Sequence, residues 1–237
     1  MKFSQTISSM FLCLLSLIFF SQVVFAQNVD TQKSDIYSKL IDYRCTGMSL
    51  DKCDCPAAKE MKAYIDALLE VGVAKEDIFY KVAKKFSPKV ILDKQIKSEV
   101  EQRLIKETGG KRSQIIFEPV SLNFGKVSKK QAKVNKIFKL YNKGNTDLVI
   151  TNVRVSCGCV SVSLKVGKNK SPYFGVAGAN PGWQAAIAPG KYGELEVVLD
   201  LNHSSMGMGK QIRNVFVSNN DPLNPEASLK VEIEVIE

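Results

Sequence analysis

The residues with the most chemistry to offer are cysteines, and beyond Cys13 in the apolar N-terminal run they fall in two places: Cys45, Cys53 and Cys55, then Cys157 and Cys159. A thiolate attacks disulfides and binds soft metal ions, so cysteines within reach of one another can exchange a disulfide, brace a fold or hold a metal. Cys55 precedes Pro56 and a run of helical periodicity, which puts it at a helix start. There, unsatisfied N–H groups and the helix dipole favour a thiolate. Arg44 beside Cys45 and Lys52 beside Cys53 add positive charge of the same sense. In the redox reading Cys45 attacks or receives a disulfide, and Cys53 or Cys55 resolves it. A Cys45–Cys53 or Cys45–Cys55 brace across a small module accounts for the same residues.

Cys157 and Cys159 flank Gly158, and in an extended segment residues two apart point to one face. Three fates follow: a strained and easily reduced mutual bond, a Cu(I) site, or a bridge to a partner cysteine. His203, Met206 and Met208 supply the imidazole and thioether groups that copper takes. They fit equally a strand-connecting turn with one exposed His and two packed Met. His203 is the only histidine, which excludes a His-rich metal centre. It has no evident nucleophile partner, and no Gly-Lys-Ser/Thr phosphate loop occurs, so a hydrolase, kinase or nucleotide enzyme is not indicated. No cofactor is required, and Cu(I) is the metal the donor set suits.

Two halves of different character must position these groups. The chain has 237 residues, 45% hydrophobic and 24% charged, a balance of folded protein with room for one or two cores. Residues 1–26 read as a signal peptide: Lys2 is the sole charge, an apolar run spans Met10–Phe20, and Val24-Phe25-Ala26 ends it. The expected location is periplasmic or secreted, with no membrane-spanning segment after cleavage. Five cysteines then remain, an odd number, so at least one is free, metal-bound or shared with a partner.

Residues 27–108 read as a helical thiol module. Met61, Tyr64, Ile65, Leu68 and Leu69 recur at helical spacing, as do Ile78, Val82 and Phe86, then Ile96, Val100 and Leu104. An earlier helix is expected from about Asp35 to Arg44. Residues 109–114 form a linker after Thr108-Gly109-Gly110. From 115 to 237 the pattern alternates, as in Val160–Leu164, Leu195–Leu201 and Leu229–Val235, with turn signals between seven or more short strands. Such spacing predicts an antiparallel β-sandwich. Segment 167–184, with Tyr173, Phe174 and Trp183, is either an excursion folded back on the sandwich or a binding loop. Seven lysines between Lys126 and Lys143 read first as protection of a sheet edge, and otherwise as attraction to an anionic surface. Nucleic acid is not an expected partner, since no reading helix or aromatic platform is present.

Two resemblances sharpen this plan. Tyr43-Arg44-Cys45, Cys55-Pro56 opening the Met61–Leu69 helix, the Val71–Phe79 turn and Phe86–Leu92 together resemble the CcmH/CycL/NrfF-type cytochrome c maturation family over residues 38–92. This implies a periplasmic three-helix thiol module acting on the disulfide of apocytochrome c, or on another periplasmic thiol protein. That family spaces its cysteines Cys-x-x-Cys, where this chain has Cys45-x7-Cys53-x-Cys55. Farther on, Phe124-Gly125, Asn142-x-Gly144-Asn145, Ser156-Cys157-Gly158-Cys159, Pro189-Gly190 and Asn219-Asn220-Asp221-Pro222 resemble the domain-of-unknown-function 1573 family. That resemblance implies an immunoglobulin-like sandwich. The expectation is a multidomain protein, a small all-α three-helix module followed by an all-β sandwich, serving thiol-disulfide handling. Cu(I) binding or delivery at Cys157 and Cys159, or a non-catalytic interaction module, are the alternatives.

Overall fold

The computed structural model describes residues 30–41 and 47–237. The signal-peptide reading of residues 1–26 therefore lies outside the described residues, as does Cys45 with Arg44. Two compact units are present: one takes the described residues up to Ala83 together with Lys89–Ser98, the other Lys84–Pro88 with Glu99–Glu237. No helix among the described residues is long and apolar enough to cross a membrane.

Among the described residues four helices precede the strands, where three were expected: α1 at 30–38, α2 (Pro56–Glu70), α3 (Lys75–Lys85) and α4 (Lys94–Glu107). Helix α2 buries Ala58, Met61, Ile65 and Leu69, a single stripe at helical spacing. With them Ile36, Leu40, Leu50, Ile78 and Phe79 are buried in the first unit. Polar ties complete it. The Tyr37 hydroxyl donates to Asp66 Oδ1 at 2.6 Å, and Lys75 and Lys39 pair with Asp35. The Lys75 ammonium, hydrogen-bonded to Asp35, holds that carboxyl below its usual range.

Ten strands follow, in two five-stranded sheets. They are β1 (Ile115–Glu118), β2 (Ser121–Ser128), β3 (Lys133–Asn142), β4 (Leu148–Val155), β5 (Val160–Val166), β6 (Asn169–Lys170), β7 (Ala185–Ile187), β8 (Tyr192–Asp200), β9 (Gly209–Asn219) and β10 (Glu226–Ile236). One sheet has the order β1-β3-β8-β5-β6, the other β2-β10-β9-β4-β7. The expected all-antiparallel pairing has one exception, since β2 runs parallel to β10. A parallel pair needs a long connection, and here it is the whole remainder of the domain. Inward residues such as Phe138, Leu140, Ile150, Val162, Leu195, Val197, Val217 and Leu229 form one apolar core between the sheets.

Two turn motifs earn their residues through buried polar bonds. The Asn142 amide is fully buried and donates to the carbonyls of Thr146 and Ile187, at 2.7 and 2.8 Å. Asp221, 2% exposed, accepts from the Ile115 and Leu223 amides. Buried polar atoms satisfied in this way fix the turns rather than weaken them.

The lysine run divides. Strand β1 pairs only with Lys139–Asn142 of β3, so Lys133–Phe138 is paired on one side only among the described residues, by β8. Edge protection therefore fits Lys133 and Lys136 but not Lys139. In segment 167–184, Phe174 is buried, bridges to Val162 and meets Trp183 edge-on at 4.8 Å. Tyr173 remains half exposed, and its hydroxyl donates to Glu196 at 2.7 Å. Lys170 and the Asn135 amide also donate to Glu196, and these bonds hold its carboxyl at about 2.

Candidate functional site

Sulfur is placed differently in the two units. In the first, Cys55 is the N-cap of α2, with φ −70° and ψ 160°, and its sulfur accepts the Ala58 N–H at 3.4 Å. Pro56 follows at the first helical position, where its missing N–H costs nothing. The expected helix start at Cys55 is thus where the chain places it. Cys53 lies 2% exposed, with its N–H bonded to the Ser49 carbonyl at 3.0 Å. The Cys53 and Cys55 sulfurs are 3.4 Å apart. Lys62, on α2, donates to the Cys53 carbonyl at 2.7 Å and fixes that segment against the helix. Lys52, read as the cation beside Cys53, is exposed, and Lys62 was not foreseen. Its only sequence signal is its place near the cysteines on the helix Cys55 opens.

In the second unit Cys157 and Cys159 form a disulfide in the turn between β4 and β5. Cys159 is 1% exposed and belongs to the sandwich core, whereas Cys157 is half-buried. The turn between β8 and β9 lies over them. Ser205 Oγ is 2.9 Å from Cys157 Sγ and 2.8 Å from His203 Nδ1, and the Ser205 backbone N–H donates to the same Nδ1 at 3.2 Å. From β9, Arg213 Nε–H donates to Cys159 Sγ at 3.2 Å. The Arg213 Nη2 donates to the Ser205 carbonyl at 2.8 Å, so one guanidinium holds both the disulfide and the turn that covers it.

Gly158 lies in the turn between β4 and β5, and its φ is not positive. Space is the stronger reason for a glycine: a Cβ there would stand 3.0 Å from His203 Nε2 and 3.3 Å from Cε1. The imidazole edge occupies the room a side chain would take.

Of the five residues read as a copper set, Cys157, Cys159 and His203 come together. Met206 is 3% exposed in the core, and Met208 is 48% exposed. The two sulfurs are bonded to each other, so thiolate ligands exist only after reduction. Among the described residues, no group of three or more His, Cys, Asp or Glu is disposed to hold a metal ion. Ser205 and Arg213 were not foreseen. A signal for Arg213 exists: it shares strand parity with buried Val215 and Val217, so a charge stands on the core-facing side of β9.

Residues 115–172 match the family model described as a protein of unknown function, DUF1573. The matched segment carries the Cys157–Cys159 turn and ends before His203, Ser205 and Arg213. No curated protein matches the sequence. Among solved structures, a protein of unknown function from Porphyromonas gingivalis W83 is similar at 16% identity over 53% of this chain and 48% of that one, with a TM-score of 0.40. The YadV chaperone is similar at 14% identity over 52% of each chain, TM-score 0.33. The Pseudomonas aeruginosa CupB2 chaperone is similar at 10% identity over 51% of this chain and 55% of that one, TM-score 0.33. This chain thus spans about half the length of each of these structures.

Proposed function

We propose that the protein is an exported accessory in thiol-disulfide handling, with Cys45, Cys53 and Cys55 as its exchanging sulfurs. The observation that carries this reading is the 3.4 Å separation of the Cys53 and Cys55 sulfurs at the N-terminus of α2. Disulfide exchange needs a sulfur that attacks and a second close enough to resolve the mixed disulfide. The N–H donated by Ala58 to the Cys55 sulfur is the environment in which a helix start favours negative charge on sulfur. Burial divides the labour: Cys53 is sealed and suited to resolving from within, whereas Cys55 reaches the surface.

The resemblance of residues 38–92 to the cytochrome c maturation family makes apocytochrome haem-attachment cysteines the first client to try. The full chain carrying Cys53→Ser and Cys55→Ser, with Cys45 retained, is incubated with a disulfide-bonded haem-attachment peptide. A mixed disulfide accumulating on Cys45 is the expected result. Turnover of the peptide at the unsubstituted rate, with nothing trapped, would overturn the assignment.

A further inference from the structure

We infer that the Cys157–Cys159 disulfide is a second exchange centre, one that oxidises paired thiols of another polypeptide, with Arg213 receiving the charge that develops on Cys159. It shares a class of chemistry with the function proposed above but uses none of Cys45, Cys53 or Cys55, so either can fail alone.

The two sulfurs are not equivalent. Cys159 is sealed in the core, while Cys157 sits half-buried beside exposed Gly158 and Ser205, so an incoming thiolate can reach only Cys157 Sγ. The atom that must leave is Cys159 Sγ, and that sulfur accepts the Arg213 Nε–H. The remaining contacts of the guanidinium are with the Ile212 carbonyl at 2.8 Å, the Ser205 carbonyl at 2.8 Å and Gln211 Oε1 at 3.1 Å. These are neutral oxygens, so the positive charge is left for the sulfur. A disulfide serving only as a brace carries no charge and gains little from a cation, whereas a buried thiolate requires one.

On the outer side, the Ser205 backbone N–H makes His203 Nδ1 an acceptor. The neutral ring then carries its hydrogen on Nε2, the Ser205 hydroxyl donates to Nδ1, and its lone pair faces Cys157 Sγ. A Cys157 thiol would find its acceptor in place, with His203 behind it as the end of a proton relay.

The step balances without another reagent. A client thiolate attacks Cys157 Sγ, a new S–S bond forms, and the Cys157–Cys159 bond breaks with its electron pair on Cys159 Sγ beside Arg213. The client's second thiolate then attacks its own sulfur in the mixed disulfide. The client leaves with a disulfide, and the pair released on Cys157 takes up from solvent the proton that the client's second thiol gave up. Two electrons pass from the client dithiol to the Cys157–Cys159 pair.

The test uses the full chain with Cys45→Ser, Cys53→Ser and Cys55→Ser, and a reduced synthetic peptide carrying Cys-x-x-Cys. Oxidation of one peptide per protein, with Cys157 and Cys159 recovered as thiols by mass spectrometry, is expected. In that background Arg213→Gln slows single turnover about tenfold or more, the scale of losing a hydrogen bond to a charged group, and Arg213→Lys retains part of the rate. As a second measurement, the chain bearing only Cys159→Ser is given the oxidised peptide and its adduct is mapped. An adduct on Cys157 supports the centre. Adducts confined to residues 45–55, equal trapping by Cys157→Ser, or Arg213→Gln reacting at the parental rate would overturn it.

Discussion

The chain repeats one spacing, two cysteines with a single residue between them, in two unlike settings. Cys53 and Cys55 stand where a loop enters a helix, Cys157 and Cys159 where one strand turns into the next. Both pairs have an inner sulfur, 2% exposed at Cys53 and 1% at Cys159, and an outer one that reaches the surface. They part at the backbone. Capping α2 commits the Cys55 sulfur to the Ala58 N–H, whereas the strand turn brings the Cys157 and Cys159 sulfurs into a bond. They part again in charge, because among the described residues only the sandwich pair has a cation hydrogen-bonded to its inner sulfur. Spacing alone therefore does not decide what a Cys-x-Cys pair does; the element it terminates does.

The largest effect expected from this contrast is in accessibility. After reduction of the native protein, alkylation should modify Cys55 and Cys157 about a hundredfold faster than Cys53 and Cys159, because a sealed thiol reacts only through local opening. Residue-resolved mass spectrometry of a time course reads the ratio. Equal rates within either pair would remove the inner and outer distinction on which both proposals depend.

A smaller effect separates the two settings by what the outer cysteine does for the fold. Cys55→Ala deletes the α2 cap and should cost about 1 kcal/mol, while Cys55→Ser, a preferred cap, should restore or exceed the parental stability. Denaturant midpoints of the full chain measure both. No such recovery is expected at Cys157, which caps no helix, so Cys157→Ser and Cys157→Ala should behave alike. At Gly158, a substitution to Ala places a Cβ within 3.0 Å of the His203 ring edge. The ring must move, so peptide oxidation should slow severalfold while the disulfide stays formed; an unchanged rate would show that His203 does not need its present position.

How much of this was readable beforehand depended on how local the cause was. The alternation of Leu195–Leu201 and Leu229–Val235 announced strands because burial on one face acts residue by residue. Pro56 announced the α2 start for the same reason. By contrast, β6 and β7 have two and three residues, too few for any period to show. The parallel pairing of β2 with β10 depends on the path of everything between them. At the sulfur sites, the cysteines were plain but their partners were not, since Ser205 lies 48 residues from Cys157 and Arg213 lies 54 from Cys159. Only the fold of β8 and β9 brings them in, and a lone arginine on the core side of β9 was the one trace left in the pattern.

The smallest expected effect tests whether the sandwich has an acid limit of its own. Glu196 gathers Lys170, Tyr173 and Asn135, and these donors hold its carboxyl at about 2 against an ordinary value of 4.5. A depressed carboxylate contributes stability that is fully present above its unfolded value and is lost as pH falls through the folded one. The contribution of this cluster should therefore fade between about pH 4.5 and pH 2, loosening Tyr173 and the Lys170 side chain of β6 from Glu196. The α2 cap lies outside that window, because no carboxylate takes part in the Cys55–Ala58 bond. Glu196→Gln should flatten the acid limb of sandwich stability and leave the helical unit's limb unchanged, with amide exchange followed separately in β6 and α2. A limb that keeps its slope after the substitution would place the acid sensitivity of the sandwich elsewhere, with buried Asp221 the next carboxylate to examine.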